Sequence, residues 1–191
     1  EYASHSKQIN CLLIKGDENC FCAGNDFTDP ANEKDNIAFK FIEQLAMFDK
    51  PIVAAVAGPA VGLGTTMLLQ CDMVIAATNS KFILPFVQLG ICLEAGASLL
   101  LPLKVGHNKA FELAVLGEAF GAEQAYQYGI ANKICQPTEL IENAVNIAQS
   151  IANLPADSVQ TSRRLIRQSS AKLMPDVLQN EKDEVMRLLK T

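Results

Sequence analysis

Residues 52–64 read IVAAVAGPAVGLG, and this stretch decides the fold. Its first six residues form a continuous apolar run, which is typical of a strand buried on both faces of a parallel sheet. Gly58-Pro59 marks a turn, and the glycines at 62 and 64 open a short helical pattern that continues to Gln70. A strand that passes into a helix through a glycine-rich turn indicates an α/β protein.

Further sequence patterns typical of strands and helices lie on both sides of this stretch. We predict strands over residues 9–14, 73–77, 81–84 and 130–135 and a helix over residues 35–48. Helical spacing then dominates residues 108–116, 122–128, 139–152, 158–169 and 177–189. Strands alternating with helices, followed by a helical tail, predict an α/β core over residues 1–135 and a C-terminal helical region over residues 136–191.

Composition narrows the class of protein. The chain has 191 residues, 49% of them hydrophobic, and a formal net charge of −5, so it is long enough for a sizeable core and lacks the basic surface that nucleic acid requires. Its apolar runs are shorter than the roughly 20 residues of a membrane span. Six cysteines without metal-ligand spacing, no signal peptide and no Ser-Lys-Leu ending lead us to expect reduced thiols and a cytoplasmic location.

Glu94 is the leading catalytic candidate. It is the one acidic residue between Asp72 and Glu112, and it lies in the apolar run LGICLEAG of residues 89–96. Apolar surroundings remove solvation from a carboxylate and raise its pKa toward the range of a general base or acid. The competing interpretation is an exposed loop carboxylate.

Two loops carry candidate backbone donors. Residues 21–27, FCAGNDF, follow the first strand, and residues 57–64 lead from a strand into a helix. N–H groups near Ala23 and Leu63 can together hold one carbonyl oxygen as an oxyanion hole, which stabilises an enolate. Ordinary turn chemistry and tight packing remain alternatives, whereas the glycine spacing misses both the dinucleotide and the P-loop patterns.

Three blocks, residues 21–27, 54–72 and 82–96, occur in an order and spacing that resemble the crotonase (enoyl-CoA hydratase/isomerase) superfamily. The resemblance implies a spiral of ββα repeats with a helical C-terminal trimerisation region, and assembly as a homotrimer or a dimer of trimers. It also implies an acyl-CoA substrate bound at the oxyanion hole of Ala23 and Leu63. The family normally carries a further strand and helix ahead of residues 9–14, so either this sequence is a fragment of a longer chain or that strand and helix are absent. The implied substrate-binding residues are Ala23, Gly24, Asn25, Asp26, Phe27 and Leu63.

The resemblance also bears on the reaction. Hydratases of the family use two glutamates, and the matching positions here hold Thr66 and Phe86. Glu94 stands instead at a position similar to that of the catalytic glutamate of the peroxisomal-type Δ3-Δ2-enoyl-CoA isomerases. We therefore expect Glu94 to shuttle one proton and convert 3-enoyl-CoA to 2-trans-enoyl-CoA in fatty acid β-oxidation. Because the CoA thioester is the substrate, no metal or redox cofactor is expected.

Several alternatives stay open. Another crotonase reaction, such as enoyl-CoA hydration or acyl-CoA thioester hydrolysis, would use the same oxyanion hole, and a non-catalytic acyl-CoA-binding module would use none of the acids. Asp72 is predicted to be a turn or cap residue. Arg163, Arg164 and Arg167 either meet a CoA phosphate or form a solvated helix face, which is the preferred interpretation. The apolar residues that we expect on a partner surface are Leu165, Ile166, Val177, Val185, Leu188 and Leu189.

Overall fold

The computed structural model describes residues 2–26 and 37–191. Seven strands and nine α-helices lie in these residues, with two short 3₁₀ helices at Met67–Gln70 and Pro137–Glu139. The strands are β1 Leu12–Lys15, β2 Ile52–Val56, β3 Pro59–Val61, β4 Met73–Ala77, β5 Lys81–Ile83, β6 Phe120–Gly121 and β7 Lys133–Cys135. The helices are α1 Tyr2–His5, α2 Ile37–Met47, α3 Leu63–Thr66, α4 Ala97–Val105, α5 His107–Leu116, α6 Ala122–Gln127, α7 Leu140–Ala152, α8 Ala156–Ala171 and α9 Met174–Leu188.

A four-stranded parallel sheet, in the order β1-β2-β4-β7, forms the centre of the molecule. All five residues of β2 are buried, because this strand has neighbours at both edges and packed layers on both faces. Val53 and Ala55 point into one apolar cluster with α7, while Ile52, Ala54 and Val56 point into the larger core on the opposite face. The buried strand predicted from the apolar run is therefore confirmed.

A second, three-stranded sheet runs β3-β5-β6, with β3 parallel to β5 and β5 antiparallel to β6. The order β2-β3-α3 is repeated as β4-β5-α4, and each unit contributes one strand to each sheet. This is the ββα repeat that the resemblance implies, and the α/β fold class is confirmed. Sequence reasoning assigned Gly58-Pro59 to a turn and missed β3. Pro59 is the first residue of that strand, a position where proline's missing N–H is tolerated.

Most predicted elements are present with boundaries shifted by one to three residues. The helix predicted over residues 62–70 is instead the short α3 followed by a 3₁₀ turn, after which Cys71 adopts an extended conformation leading into β4. The part of the chain that the structure describes contains no helix long and apolar enough to cross a membrane.

The helical C-terminal region packs against the rest of the chain. Helix α7 lies on β1, β2 and β4, and α9 contacts α2 and α4. Val185 of α9 is fully buried there, so its predicted place on a partner surface is wrong. Leu165, Ile166 and Leu189 are exposed, as that prediction requires.

Candidate active site

The loop after β1 runs beside β3. Cys22 forms an isolated parallel bridge with Ala60, and the Val61 N–H donates to the Cys22 carbonyl at 2.9 Å. This pairing places Ala23 next to the segment that enters α3. Within the described residues, the Ala23 N–H has no hydrogen-bond acceptor, so its donor is available to a ligand. Gly24, Asn25 and Asp26 follow in the same loop, and the predicted substrate contact Phe27 lies outside the described residues.

The second candidate donor is the first N–H of α3. Gly62 has φ 53°, a backbone conformation that favours glycine, and its carbonyl accepts the N–H groups of Thr65 and Thr66. The Leu63 N–H likewise has no acceptor among the described residues. The two loops are in close contact, because a Cβ added to Gly64 would lie 2.5 Å from the Cys22 carbonyl oxygen. The fold thus brings the backbone at Ala23 and Leu63 together at neighbouring chain segments.

Glu94 lies in a tight turn between β5 and α4, and only 4% of its surface is exposed. Ala95 and Gly96 both have left-handed backbone angles there, with φ 63° and 76°. The Thr66 hydroxyl donates to Glu94 Oε1 at 2.6 Å. The pKa of Glu94 is raised to about 7, mainly by burial; the Thr66 hydrogen bond opposes this rise, and the charge of Glu181 adds to it. The exposed-loop interpretation is wrong, and the carboxyl group has the pKa that general acid-base chemistry at neutral pH needs.

Thr66 relates this carboxyl group to the donor at Leu63. Thr66 Oγ1 lies 3.3 Å from the Gly62 carbonyl oxygen, and that carbonyl belongs to the same peptide group as the Leu63 N–H. The hydrogen bond from Thr66 therefore places the Glu94 carboxyl group close to the peptide that carries this donor.

Gln70 fixes the backbone of the Glu94 turn from one side. Its Nε2 donates to the Ala95 carbonyl at 2.9 Å, and its Oε1 accepts from Arg167 Nη2 at 2.8 Å. Gln70 is buried, so both of its amide atoms need partners, and both have them. A chain of hydrogen bonds thus connects helix α8 to the turn that carries Glu94.

Glu181 of α9 fixes the same turn from the other side. Its carboxylate oxygens accept the N–H groups of Gly96, at 2.7 Å, and Ser98, at 2.8 Å, which are donors at the start of α4. Burial raises the pKa of Glu181, and the hydrogen bonds from Ser98 and Gly96 oppose this. Glu181 and Glu94 also border one small cavity of about 10 Å³, which is lined by Phe39, Ile42, Glu43, Glu94, Ala95, Leu178, Glu181 and Lys182.

The positions that match hydratase glutamates hold no acid. Thr66 is fully buried and bonded to Glu94, and Phe86 is 3% exposed. A Cβ added to Gly62 would lie 3.9 Å from the Phe86 ring, so an apolar ring flanks the turn beside the Leu63 donor. Among the described residues, Glu94 is therefore the acidic residue that is hydrogen-bonded to α3, the helix that begins at Leu63.

Asp72 has a structural role, as predicted. Its Oδ2 accepts the Ile52 N–H at 2.8 Å at the start of β2, and both of its oxygens accept from Arg163 Nε, at 2.9 and 2.7 Å. Arg163 is buried, and its Nη1 also donates to the Phe48 carbonyl at 2.6 Å. This partly buried ion pair joins helix α8 to the central sheet.

The interpretation of the three arginines as a solvated face holds for Arg164 alone. Arg164 is exposed, but Arg163 is buried against Asp72 and Arg167 is half-buried against Gln70. The reason is that both side chains lie on the face of α8 that packs against Asp72 and Gln70. All three line a cavity of about 790 Å³ together with two acidic residues, Asp49 and Asp157.

Comparison with known proteins places this geometry in a family. The family model described as enoyl-CoA hydratase/isomerase matches residues 1–190. The chain belongs to the enoyl-CoA hydratase/isomerase family. It is 32% identical over 186 residues to 1,2-epoxyphenylacetyl-CoA isomerase of Escherichia coli, covering 92% of this chain and 71% of that protein. It is 33% identical over 175 residues to 2,3-dehydroadipyl-CoA hydratase of the same organism, covering 88% and 68%.

A solved structure agrees with this assignment. The crystal structure of an enoyl-CoA hydratase/isomerase from Pseudoalteromonas atlantica T6c superposes with a TM-score of 0.94 at 34% identity, covering 99% of this chain and 77% of that one. The chain is therefore an enzyme of the enoyl-CoA hydratase/isomerase family. The names of its relatives include both an isomerase and a hydratase, so family membership alone leaves the reaction open.

Sequence reasoning missed the residues that support Glu94. Thr66 was singled out as the replacement of a hydratase glutamate and not as the partner of Glu94, and Gln70 and Glu181 were not singled out. The contact between Glu181 and Gly96 joins residues 85 positions apart, and no local pattern signals it. Thr66 could have been predicted from the sequence, because its hydroxyl can hydrogen-bond a carboxylate and Glu94 is the one acidic residue between Asp72 and Glu112.

Proposed function

We propose that this chain is a Δ3-Δ2-enoyl-CoA isomerase, which moves a double bond of an acyl-CoA from C3 to C2 with Glu94 as the proton carrier. The observation that supports it best is the burial of Glu94 against Thr66 of α3, the helix that begins at Leu63, with a pKa of about 7. At neutral pH such a group exists in both protonation states. A shuttle must take up a proton and then release it, so it needs both.

The reaction follows from these groups. The Glu94 carboxylate removes a proton from C2 of 3-enoyl-CoA, and the electron pair of that C–H bond moves into a dienolate whose charge lies on the thioester oxygen. The N–H groups of Ala23 and Leu63 hold this oxygen, and such donors contribute about 3 kcal/mol each to transition-state stabilisation. Protonated Glu94 then delivers the proton to C4, which leaves the double bond between C2 and C3. Proton transfer alone completes the reaction, so the proposal includes no metal or redox cofactor.

Hydration is disfavoured on the same grounds. Adding water requires groups that hold and deprotonate a water molecule, and the two matching positions hold Thr66 and Phe86. The Thr66 hydroxyl is already bonded to Glu94, and Phe86 presents a buried ring. For assembly, the proposal keeps the homotrimer implied by the resemblance, for which the exposed Leu165, Ile166 and Leu189 provide apolar surface.

The test is a spectrophotometric assay of the protein with 3-enoyl-CoA and, separately, with 2-trans-enoyl-CoA. We expect turnover of the first substrate to the second and no water addition to the second. Glu94→Gln keeps the size of the side chain and removes the base, so it should lower kcat at least about 100-fold. Glu118→Gln removes the same charge from an exposed position and serves as the matched control.

Each contrary outcome points to another function. Isomerase activity that survives Glu94→Gln nearly intact would show that the base has been misassigned. Water addition to 2-trans-enoyl-CoA would identify a hydratase, and release of free CoA would identify a thioesterase. Binding of acyl-CoA without turnover of any substrate would favour a non-catalytic module.

A further inference from the structure

The Thr66 hydroxyl has more than one acceptor within reach. Its Oγ1 lies 2.6 Å from Glu94 Oε1, and it also lies 3.3 Å from the Gly62 carbonyl oxygen and 3.4 Å from the Leu63 carbonyl oxygen. A hydroxyl carries one proton and two lone pairs, so it donates to one of these oxygens at a time while it remains able to accept. Thr66 is fully buried, and among the described residues these oxygens are its partners.

This arrangement serves both protonation states of Glu94. When Glu94 is ionised, it accepts the Thr66 proton, which is the short contact seen in the structure. When Glu94 carries the proton, its O–H can donate to Thr66 Oγ1, provided that the Thr66 proton turns to a backbone carbonyl. The Gly62 carbonyl already accepts two backbone N–H groups, but a carbonyl one helical turn back commonly also accepts a threonine hydroxyl in a shared hydrogen bond. The rotation of one O–H bond therefore keeps Glu94 hydrogen-bonded before and after it takes up the proton.

The rotation also acts on the candidate oxyanion hole. The Gly62 carbonyl belongs to the same peptide group as the Leu63 N–H. That carbonyl already accepts the N–H groups of Thr65 and Thr66, and a hydroxyl proton turned toward it adds to the polarisation of the peptide, which strengthens its N–H as a donor. Glu94 is protonated at the stage when negative charge resides on the dienolate oxygen. The donor at Leu63 is thus strengthened at the moment when its acceptor is charged.

We propose that Thr66 is a positioning residue, whose hydroxyl exchanges its acceptor between Glu94 and the Gly62 carbonyl and so holds Glu94 in place through both halves of the proton transfer. The inference rests on the proposed isomerase function and adds to it a group that never touches the substrate. It also accounts for a hydroxyl at a position where the hydratases of the family carry a glutamate.

Other charged groups face Glu94 and have to be held constant in any test. Among the described residues they are Glu181 and Lys182 of α9 and Glu43 of α2, and Lys182 Nζ lies 3.9 Å from Glu43 Oε1. A substitution at Thr66 changes none of these three charges. A change in the titration of Glu94 in such a variant is therefore attributable to the lost hydroxyl.

The test compares Thr66→Val, which keeps the shape and removes the hydroxyl, with Thr66→Ser, which keeps the hydroxyl. For Thr66→Val we expect kcat to fall roughly 10- to 100-fold, the range that a hydrogen bond to a charged group is worth, with KM nearly unchanged. The pKa of Glu94 should rise above about 7, because the bond that favours its ionised form is gone. Thr66→Ser should remain within a few-fold of the unchanged protein in both respects.

Titration of the Glu94 side-chain carbon by ¹³C NMR reads the carboxyl group without turnover, and Thr66→Ala provides a second hydroxyl-free variant if Thr66→Val does not fold. An unchanged Glu94 titration and an unchanged kcat in the hydroxyl-free variants, with Glu94→Gln inactive, would overturn the role of Thr66 and leave the isomerase function standing. If Glu94→Gln stays active, the proposed function itself fails. If Thr66→Ser behaves like Thr66→Val, packing and not the hydroxyl matters, and the inference is wrong.

Discussion

Glu94→Gln should make the folded protein more stable at alkaline pH while it removes the proposed base. Burial holds the pKa of Glu94 at about 7, against 4.5 for a solvated glutamate. At 1.36 kcal/mol for each tenfold change in proton affinity, the ionised folded protein is about 3 kcal/mol less stable than it would be with a carboxyl group of ordinary pKa. Glutamine carries no charge into this site, and its Oε1 can still accept the Thr66 hydrogen bond.

The sign of the pH dependence follows from the direction of the pKa change. The folded state binds the Glu94 proton more tightly than the unfolded state does, so between pH 4.5 and about 7 the folded state holds more protons. The contribution of Glu94 to stability is therefore greatest below pH 4.5, declines as the pH rises through about 7, and stays low above it. We expect the variant to match the unchanged protein near pH 4.5 and to exceed it by roughly 2 to 3 kcal/mol at pH 8.5.

The measurement is urea unfolding followed by circular dichroism at both pH values, at equal protein concentration so that any assembly affects all samples alike. Glu118→Gln is the control, because it removes the same formal charge from an exposed site. A difference between Glu94→Gln and the unchanged protein that is the same at both pH values would refute the reasoning. It would mean that the buried carboxyl group does not titrate between them.

Two further variants test the framework around the site. Arg163→Met leaves the partly buried Asp72 without its counter-charge and the Phe48 carbonyl without a donor, so the free energy of unfolding in urea should fall by about 1 to 3 kcal/mol. Gly64→Ala places a Cβ 2.5 Å from the Cys22 carbonyl oxygen and must push the two donor loops apart, so isomerase kcat should fall more than tenfold and stability by about 1 to 3 kcal/mol.

Matched controls accompany both variants. Arg164→Met removes the same charge from an exposed position of the same helix, and we expect it to change stability by no more than about 0.5 kcal/mol. Gly121→Ala adds a methyl group where no atom lies within 4 Å and should leave kcat unchanged. If Arg163→Met and Arg164→Met lost equal stability, the ion pair with Asp72 would not be the cause. If Gly64→Ala and Gly121→Ala lost equal activity, the close contact between the loops would not be the cause.

The sequence predicted those parts of the fold that local patterns encode. The continuous apolar run at β2 required burial on both faces, and the structure provides it. The isolation of Glu94 among apolar neighbours predicted a buried carboxyl group, and 4% exposure confirms that environment. In both cases the residues adjacent in sequence also make up much of the environment in space.

The support of the site could not be predicted in this way. The partner of Arg163 lies 91 positions away, so a cluster of arginines on a helix gave no sign that one of them would be buried. Likewise, the carboxylate that holds the start of α4 comes from α9. Pairing of polar groups across such distances depends on how the helices pack. The apolar pattern of a helix indicates which face is buried, but it does not indicate which polar residue that face will contact.

The turn at Glu94 combines two features that each cost stability. An alanine in the left-handed region costs on the order of 1 kcal/mol, and a buried carboxyl group with a pKa near 7 costs about 3 kcal/mol when ionised. A turn selected for packing alone would replace these residues with glycine and glutamine. Here the surrounding structure holds the turn in place instead, through hydrogen bonds to Ala95, Gly96 and the carboxyl group itself. Unfavourable features that are firmly held, in a fold where two backbone donors have no acceptor among the described residues, are what the proposed catalytic site requires, and a structural loop gains nothing from them.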